Sequence, residues 1–325
     1  MSFGDYATSL FIGTEAAAVW PKLFASGVVL AMAALNVAGA RGVDKAQSVI
    51  VVALFAVFAV FILATLTELN PHLLAPSGYP SLRAIIASVA LTFFAYLGFS
   101  VISFAAGELP EPERNLPRAM YVALGGTTAL YIAISVGVFG TLTVAEVTKY
   151  GATAVAEAAR PALGDAGFTA ITIAALLATS SSVNATLYAS KGFTGTLAQA
   201  GQFPPLFGER SRLGRHGGLV ITVVLILLFV NLFNLSSIAS VGSAVSLSVF
   251  VLVGIAGYRL RDQIKGKCGV LALAVAAAGF VLLFFIVDTL RNDPSTFAAI
   301  VVLIVLAIAL DFFWKRAKLN AESYP

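Results

Sequence analysis

One cysteine, two histidines and few charges leave this chain little with which to build a soluble surface or a conventional reactive centre. Only 11% of its 325 residues are Asp, Glu, Lys or Arg, against 59% hydrophobic, and a soluble domain needs far more polar surface than that. Cys268, alone, excludes a disulfide framework within the chain and any Cys-based metal site. His72 and His216 fall in loops and are not at ligand spacing from each other. The N-terminus, MSFGDYATSLFIG, lacks a basic region followed by an apolar run, so it does not read as a signal peptide. The formal charge of +4 is spread over short loops rather than along one face, which argues against a nucleic-acid partner.

What is abundant is apolar sequence in runs of membrane length. Windows of about 20 apolar residues give nine spans: Trp20–Gly39, Gln47–Leu69, Ala84–Ala106, Arg118–Leu142, Ala166–Ser190, Gly218–Phe233, Ile238–Leu260, Gly269–Leu290 and Phe297–Trp314. The sixth is short, and the fifth has apolar sequence continuing toward Ala200, which would make it long and tilted. The expected fold is an all-α polytopic helix bundle in the lipid bilayer. Alternate loops hold fifteen of the 20 Lys and Arg, among them Arg41, Lys45, Arg114, Arg118, Lys191 and Lys315. Excess Lys and Arg mark cytoplasmic loops, so the C-terminus is expected in the cytoplasm and the N-terminus outside. Trp20, Tyr79 and Trp314 lie near span ends, where amphipathic rings anchor at the interface.

Between the fourth and fifth spans, Thr143 followed by Glu146 has the spacing of a capping box, and the Ala-rich sequence after it favours helix. Gly151 and Pro161 divide this segment into two short pieces, expected at the outer surface; a plain connecting loop is the alternative.

The stretch Leu91–Arg118, LTFFAYLGFSVISFAAGELPEPERNLPR, departs from a simple membrane helix. Gly98 interrupts it, and Pro110, Pro112 and Pro117 follow. A break at membrane depth is tolerated only where the freed backbone groups meet protein, water or a ligand. The segment Phe93–Ser100 is therefore a candidate binding site, with the proline-rich tail as a hinge into the next span.

These motifs resemble those of the amino acid–polyamine–organocation permeases. Members of that family read FFAYxGF, a pair of acidic residues, then N-P-x-R-x-I-P-x-A at the cytoplasmic end of helix six. Here FFAYLGF is Phe93–Phe99, the second acidic position is Glu108, and Pro112, Arg114, Leu116, Pro117 and Ala119 follow. Gly107 replaces the first acidic residue and Glu111 replaces the Asn. Ala175–Phe207 is similar to helix eight and its cytoplasmic extension, Leu235–Arg261 to helix ten, and Leu35–Ile50 to the junction of helices four and five.

The resemblance implies a single permease domain over residues 1–325 holding helices four to twelve. Residues 84–260 would form the complete second inverted repeat and 261–325 the two C-terminal helices. GDYATSLF would be the tail of helix three, with helices one, two and most of three outside this chain. In this fold the substrate lies between broken helices one and six at the midplane. The backbone around Phe94, Ala95, Tyr96 and Gly98 would then hold the substrate's amino group, while Phe93, Tyr96 and Phe99 wall the side-chain pocket and offer aromatic faces to a cation. For the aromatics ordinary helix packing is the alternative, and for Gly98 close helix approach.

Thr179, Ser180, Ser181 and Ser182 place hydroxyls inside an apolar span. They suit either an ion site or interhelical hydrogen bonds. The resemblance leaves the coupling ion open between H+ and Na+. The position at which some proton-coupled relatives carry a lysine is Leu54, and no cofactor or metal is expected. Glu108 with Arg114 or Arg118 is a candidate cytoplasmic gate pair, the alternative being a solvated helix-end charge. Asp288 and Asp311 fall at span ends, so the spans show no proton relay.

The expected function is secondary transport of an amino acid or related amine by alternating access, in the plasma membrane, with this chain inactive alone. The rival is a non-transporting membrane remnant or regulatory subunit bound to another membrane protein, which would also supply the missing helices. An intramembrane enzyme is disfavoured, because the hydroxyl cluster has no base within reach and Lys191 lies two turns or more beyond it.

Overall fold

The computed structural model describes residues 1–13, 16–39, 43–208 and 216–322, and describes no side chains at 43–46, 77, 104–108, 205 and 317–322. Its α-helices are α1 (Ser2–Phe11), α2 (Val19–Ala38), α3 (Val43–Thr67), α4 (Leu82–Thr92), α5 (Pro112–Thr141), α6 (Val144–Tyr150), α7 (Ala154–Glu157), α8 (Arg160–Gln199), α9 (Gly217–Leu232), α10 (Leu235–Arg259), α11 (Cys268–Asn292) and α12 (Pro294–Glu322). The described residues contain no strand.

Among the described residues, eight helical segments are long and apolar enough to cross a membrane. The sixth expected span, Gly218–Phe233, is the helix Gly217–Leu232, whose 16 residues reach about 24 Å and fall short of a hydrocarbon core of about 30 Å. The apolar side chains point outward as well as inward. Val52 is 70% exposed, Leu273 71% and Leu310 70%, a surface that lipid solvates and water does not. The fold is an all-α polytopic membrane bundle.

The chain packs as two compact units that interleave in sequence: Met1–Tyr79 with Phe99–Asn234, and Pro80–Gly98 with Leu235–Pro325. In the first unit α8 is the central element, packed by α1, α2, α3 and α9. Tyr6, Phe61, Val138, Leu142, Phe168 and Ile171 form one buried cluster that draws α1, α3, α5 and α8 together. Val29, Leu187, Leu219 and Val223 form another, which joins α2, α8 and α9. In the second unit Ala90, Ala244, Phe285 and Ile300 meet where α4, α10, α11 and α12 converge.

Apolar burial drives membrane helices together less than it does soluble ones, so close approach at small residues matters more. A Cβ on Gly137 would lie 2.6 Å from Thr65 Oγ1, which shows how tightly α5 runs against α3.

The segment after α5 begins as its sequence demands. Thr143 Oγ1 accepts the Glu146 N–H at 3.3 Å, and the Glu146 carboxylate accepts the Thr143 N–H at 2.8 Å, completing the capping box. Gly151 ends α6 with a positive φ. The second division lies three residues beyond the expected Pro161, at Gly164, whose φ of 63° and ψ of −156° kink α8 near its start. Pro161 opens this helix instead, a place where its missing N–H costs nothing. Arg160 binds the buried Glu157 at 2.6 Å, reaches Asp165 beyond the kink, and lies 4.1 Å from the Phe168 ring centroid.

The proline-rich stretch differs from its sequence reading in one respect. Helix α5 starts at Pro112 and carries Pro117 inside it, so it begins six residues before the expected Arg118. Pro112 fits the first helical position, and Pro117 sits close enough to the end that only one ladder bond is lost there. The turn itself is made by Glu111, with φ 47° and ψ 60° in the left-handed region. Asn115 Nδ2 closes it on Pro110 O at 2.6 Å.

Candidate binding site at the interrupted helix

Ser81 caps α4 by accepting the Ala84 N–H at 3.3 Å, and the helix then runs as a regular α-helix only to Thr92. From Phe93 to Glu108 the backbone continues as a 3-10 helix. Runs of that kind rarely exceed three or four residues, and one in the middle of a helix marks a hinge or strain. The apolar segment Leu82–Ser103 has 22 residues, and the 11 of α4 take it to its midpoint. Those 11 residues rise about 16 Å, half of a hydrocarbon core of about 30 Å.

A serine from another helix holds the point of change. Ser243 of α10, fully buried, donates to Leu91 O at 3.0 Å and accepts the Phe94 N–H at 3.2 Å. In an unbroken α-helix Phe94 would donate to Ala90 O and Leu91 would accept from Ala95. The hydroxyl stands between two backbone groups of adjacent turns, a recognised way to break a helical ladder. The neighbouring Gly242 lies under the Phe94 ring, and any Cβ there would collide with its edge. Phe93 meets Phe250 of the same helix edge-on, with centroids 5.6 Å apart.

The residues expected at the site are thus placed as follows. Phe93 docks on Phe250 of α10, the packing arrangement that stood as the alternative to walling a pocket, and Phe94, expected to act through its backbone, lays its ring over Gly242 of the same helix. Tyr96 is half-buried and Ala95 exposed. The change of helix type comes at Phe93, five residues before Gly98, to which the sequence reading assigned the interruption. Gly98 keeps out of the left-handed region, and a Cβ there would meet nothing within 4 Å, so close helix approach does not explain it either. Residues 93–98 belong to the second unit and Phe99 to the first, the division of the chain falling inside the 3-10 helix.

The hydroxyl cluster lies in the first unit. Thr179 Oγ1 and Ser180 Oγ donate back to Ala175 O and Leu176 O of their own helix, both at 2.7 Å. Ser181 Oγ accepts from Gln47 Nε2 of α3. One turn on, Asn184 Oδ1 accepts from Asn36 Nδ2 of α2 at 2.8 Å. Two of these hydroxyls thus bond within their own helix, and Ser181 bonds across to α3. Of the expected gate pair, the side chain of Glu108 lies outside the described residues. Arg114 stands 3.9 Å from Glu111, both largely exposed.

Sequence reasoning missed Gly242 and Ser243, and also Asn36, Gln47 and Asn184 as a polar seam. The seam had a signal, since amides inside apolar spans need partners. The serine had none, because α10 carries several serines and only the fold selects one.

The geometry defines a class: an α-helical membrane protein organised around a span whose backbone changes helix type halfway across. Comparison with known sequences gives the family. The amino acid permease family model matches residues 1–310. The chain is 30% identical over 317 residues to an inner membrane transport protein, YbaT, of Escherichia coli, covering 98% of this chain and 74% of that protein. It is 32% identical over 262 residues to an uncharacterized protein of Methanocaldococcus jannaschii, covering 80% of this chain and 60% of that one. To a methylthioribose transporter of Bacillus subtilis it is 27% identical over 256 residues, 77% of this chain and 54% of that protein. The chain belongs to the amino acid permease family, within the amino acid–polyamine–organocation permeases, and is an integral membrane protein.

Proposed function

We propose that this chain serves secondary transport of an amino acid or related amine across the plasma membrane, by alternating access, with its C-terminus in the cytoplasm. The observation that carries the reading is the change from α to 3-10 helix at Phe93, halfway along an apolar span. Such a change alters the direction in which the backbone carbonyls point at mid-span, and carbonyls at a helix's C-terminal end attract a cation. The amino group of a substrate is the cation available to a family of amino acid permeases. Ala95, Tyr96, Gly98 and Phe99 line this half of the site, and Phe93 and Phe94 fix it to α10. H+ or Na+ supplies the driving gradient.

The relatives' names favour transport over a purely regulatory role, since two of the three are called transport proteins or transporters. Proteoliposomes carrying the protein test the proposal against a labelled amino-acid panel. Saturable uptake of at least one amino acid is the expected result. No uptake of any would overturn it.

A further inference from the structure

The second unit contains a device that transport chemistry alone does not require: a side chain built into the backbone ladder of another helix. Ser243 is fully buried and uses its hydroxyl in both directions, as donor to Leu91 O at 3.0 Å and as acceptor from Phe94 N–H at 3.2 Å. These two groups flank the last α-helical residue, Thr92. Beside it, Gly242 leaves room for the Phe94 ring, because a Cβ on residue 242 would overlap the ring. Two adjacent residues of α10 thus act on one residue of the interrupted span by different means, one through the backbone N–H and one through the ring.

We propose that Ser243, with Gly242, is the positioning element that sets where α4 changes to the 3-10 helix, and thereby which carbonyls face an amine. A serine at this place satisfies two backbone groups that a broken ladder would strand in a low-dielectric setting. An alanine would satisfy neither. The ladder would then reclose, with Phe94 donating to Ala90 O, or leave both groups unpaired. Either result moves the carbonyls that follow. Ser248, whose hydroxyl only bonds back to Ala244 O at 2.8 Å, is the matched control on the same helix. The effect on amine affinity rests on the functional reading above; the role of Ser243 in the helix break does not.

The test uses the full chain in lipid, with 13C-carbonyl leucine and 15N-phenylalanine labels resolved at Leu91 and Phe94 by solid-state NMR. S243A is expected to move both backbone signals and to weaken amine binding about tenfold. S243T and S248A should leave the signals in place, because each keeps the bridging hydroxyl. Unmoved signals in S243A, or signals moved equally by S248A, would overturn the proposal. Should S243A fail to fold, G242A gives the second arm: it should displace the Phe94 signal, and F94A/G242A should restore the Leu91 signal to that of F94A alone. No such restoration would count against it. If no variant, nor the parent, binds any amine while the signals shift as stated, the functional reading fails and the positioning role stands.

Discussion

Asn36 of α2 donates its amide to Asn184 Oδ1 of α8 at 2.8 Å, and the same nitrogen donates to Met32 O at 2.9 Å. Together with Gln47 and Ser181 it forms a polar seam along α8, facing α2 and α3. Asn184→Leu should destabilise the chain, and a cycle with Asn36→Leu should give a coupling of about 0.6 kcal/mol, the mean for such bonds between membrane helices. Unfolding in mixed micelles measures it. A coupling near zero would mean that the two amides find other partners equally well.

Gly137 of α5 lies tight against Thr65 of α3. Gly137→Ala places a methyl 2.6 Å from Thr65 Oγ1 and should cost about 1–3 kcal/mol through overpacking. Thr65→Ala removes the nearest atom, so the double variant should recover most of that loss. The thermal midpoints of the three variants decide the matter. Strictly additive losses would show that the helices are not held at this contact.

Glu111 adopts a left-handed conformation that suits Gly or Asn better than Glu. The permease motif that this stretch resembles has Asn at this position, a residue that adopts the left-handed conformation more readily than Glu. The contact of Glu111 with Arg114, 3.9 Å and exposed on both sides, offsets little of that difference. Glu111→Asn or Glu111→Gly should therefore stabilise the chain by about 1 kcal/mol in the same unfolding assay. Destabilisation by both would contradict the assigned backbone conformation.

Much of this was legible before any coordinates. Nine apolar runs, the short sixth span and the capping box at Thr143 and Glu146 all follow from composition and spacing, because span length and N-caps are local properties. The first-named interruption, Gly98, was placed by residue type, and residue type was the wrong guide to its position. The helix changes at Phe93 because Ser243, 150 residues away in sequence, bonds Leu91 and Phe94, and no local pattern carries that contact. The start of α5 was misplaced for the converse reason: Pro117 removes one ladder bond but leaves the helix continuous back to Pro112. The roles of Phe93 and Phe94 likewise depended on which neighbour received them.

The carboxylate of Glu146 should titrate below its ordinary value of 4.5, chiefly because the Thr143 hydroxyl, then the Thr143 N–H, bonds its charged form. A folded-state pKa below the unfolded one adds stability that is complete above the unfolded value and is lost as pH falls through the folded one. The start of α6 should thus loosen only on acidification beneath the usual carboxylate range. Carboxyl-carbon NMR titration of Glu146 reports the shift, and Thr143→Ala should raise it. A titration unchanged by Thr143→Ala would remove the capping box as the cause.

The claim on which the account turns is that the interrupted helix recognises an amine. Competition against a labelled amino acid bound to the chain measures this directly, using amines that lack the carboxylate and acids that lack the amine. On the proposed function the amines should compete and the deaminated acids should not, since a site for the amino group would select a cation over an anion. Equal competition by both sets, or by the acids alone, would contradict it.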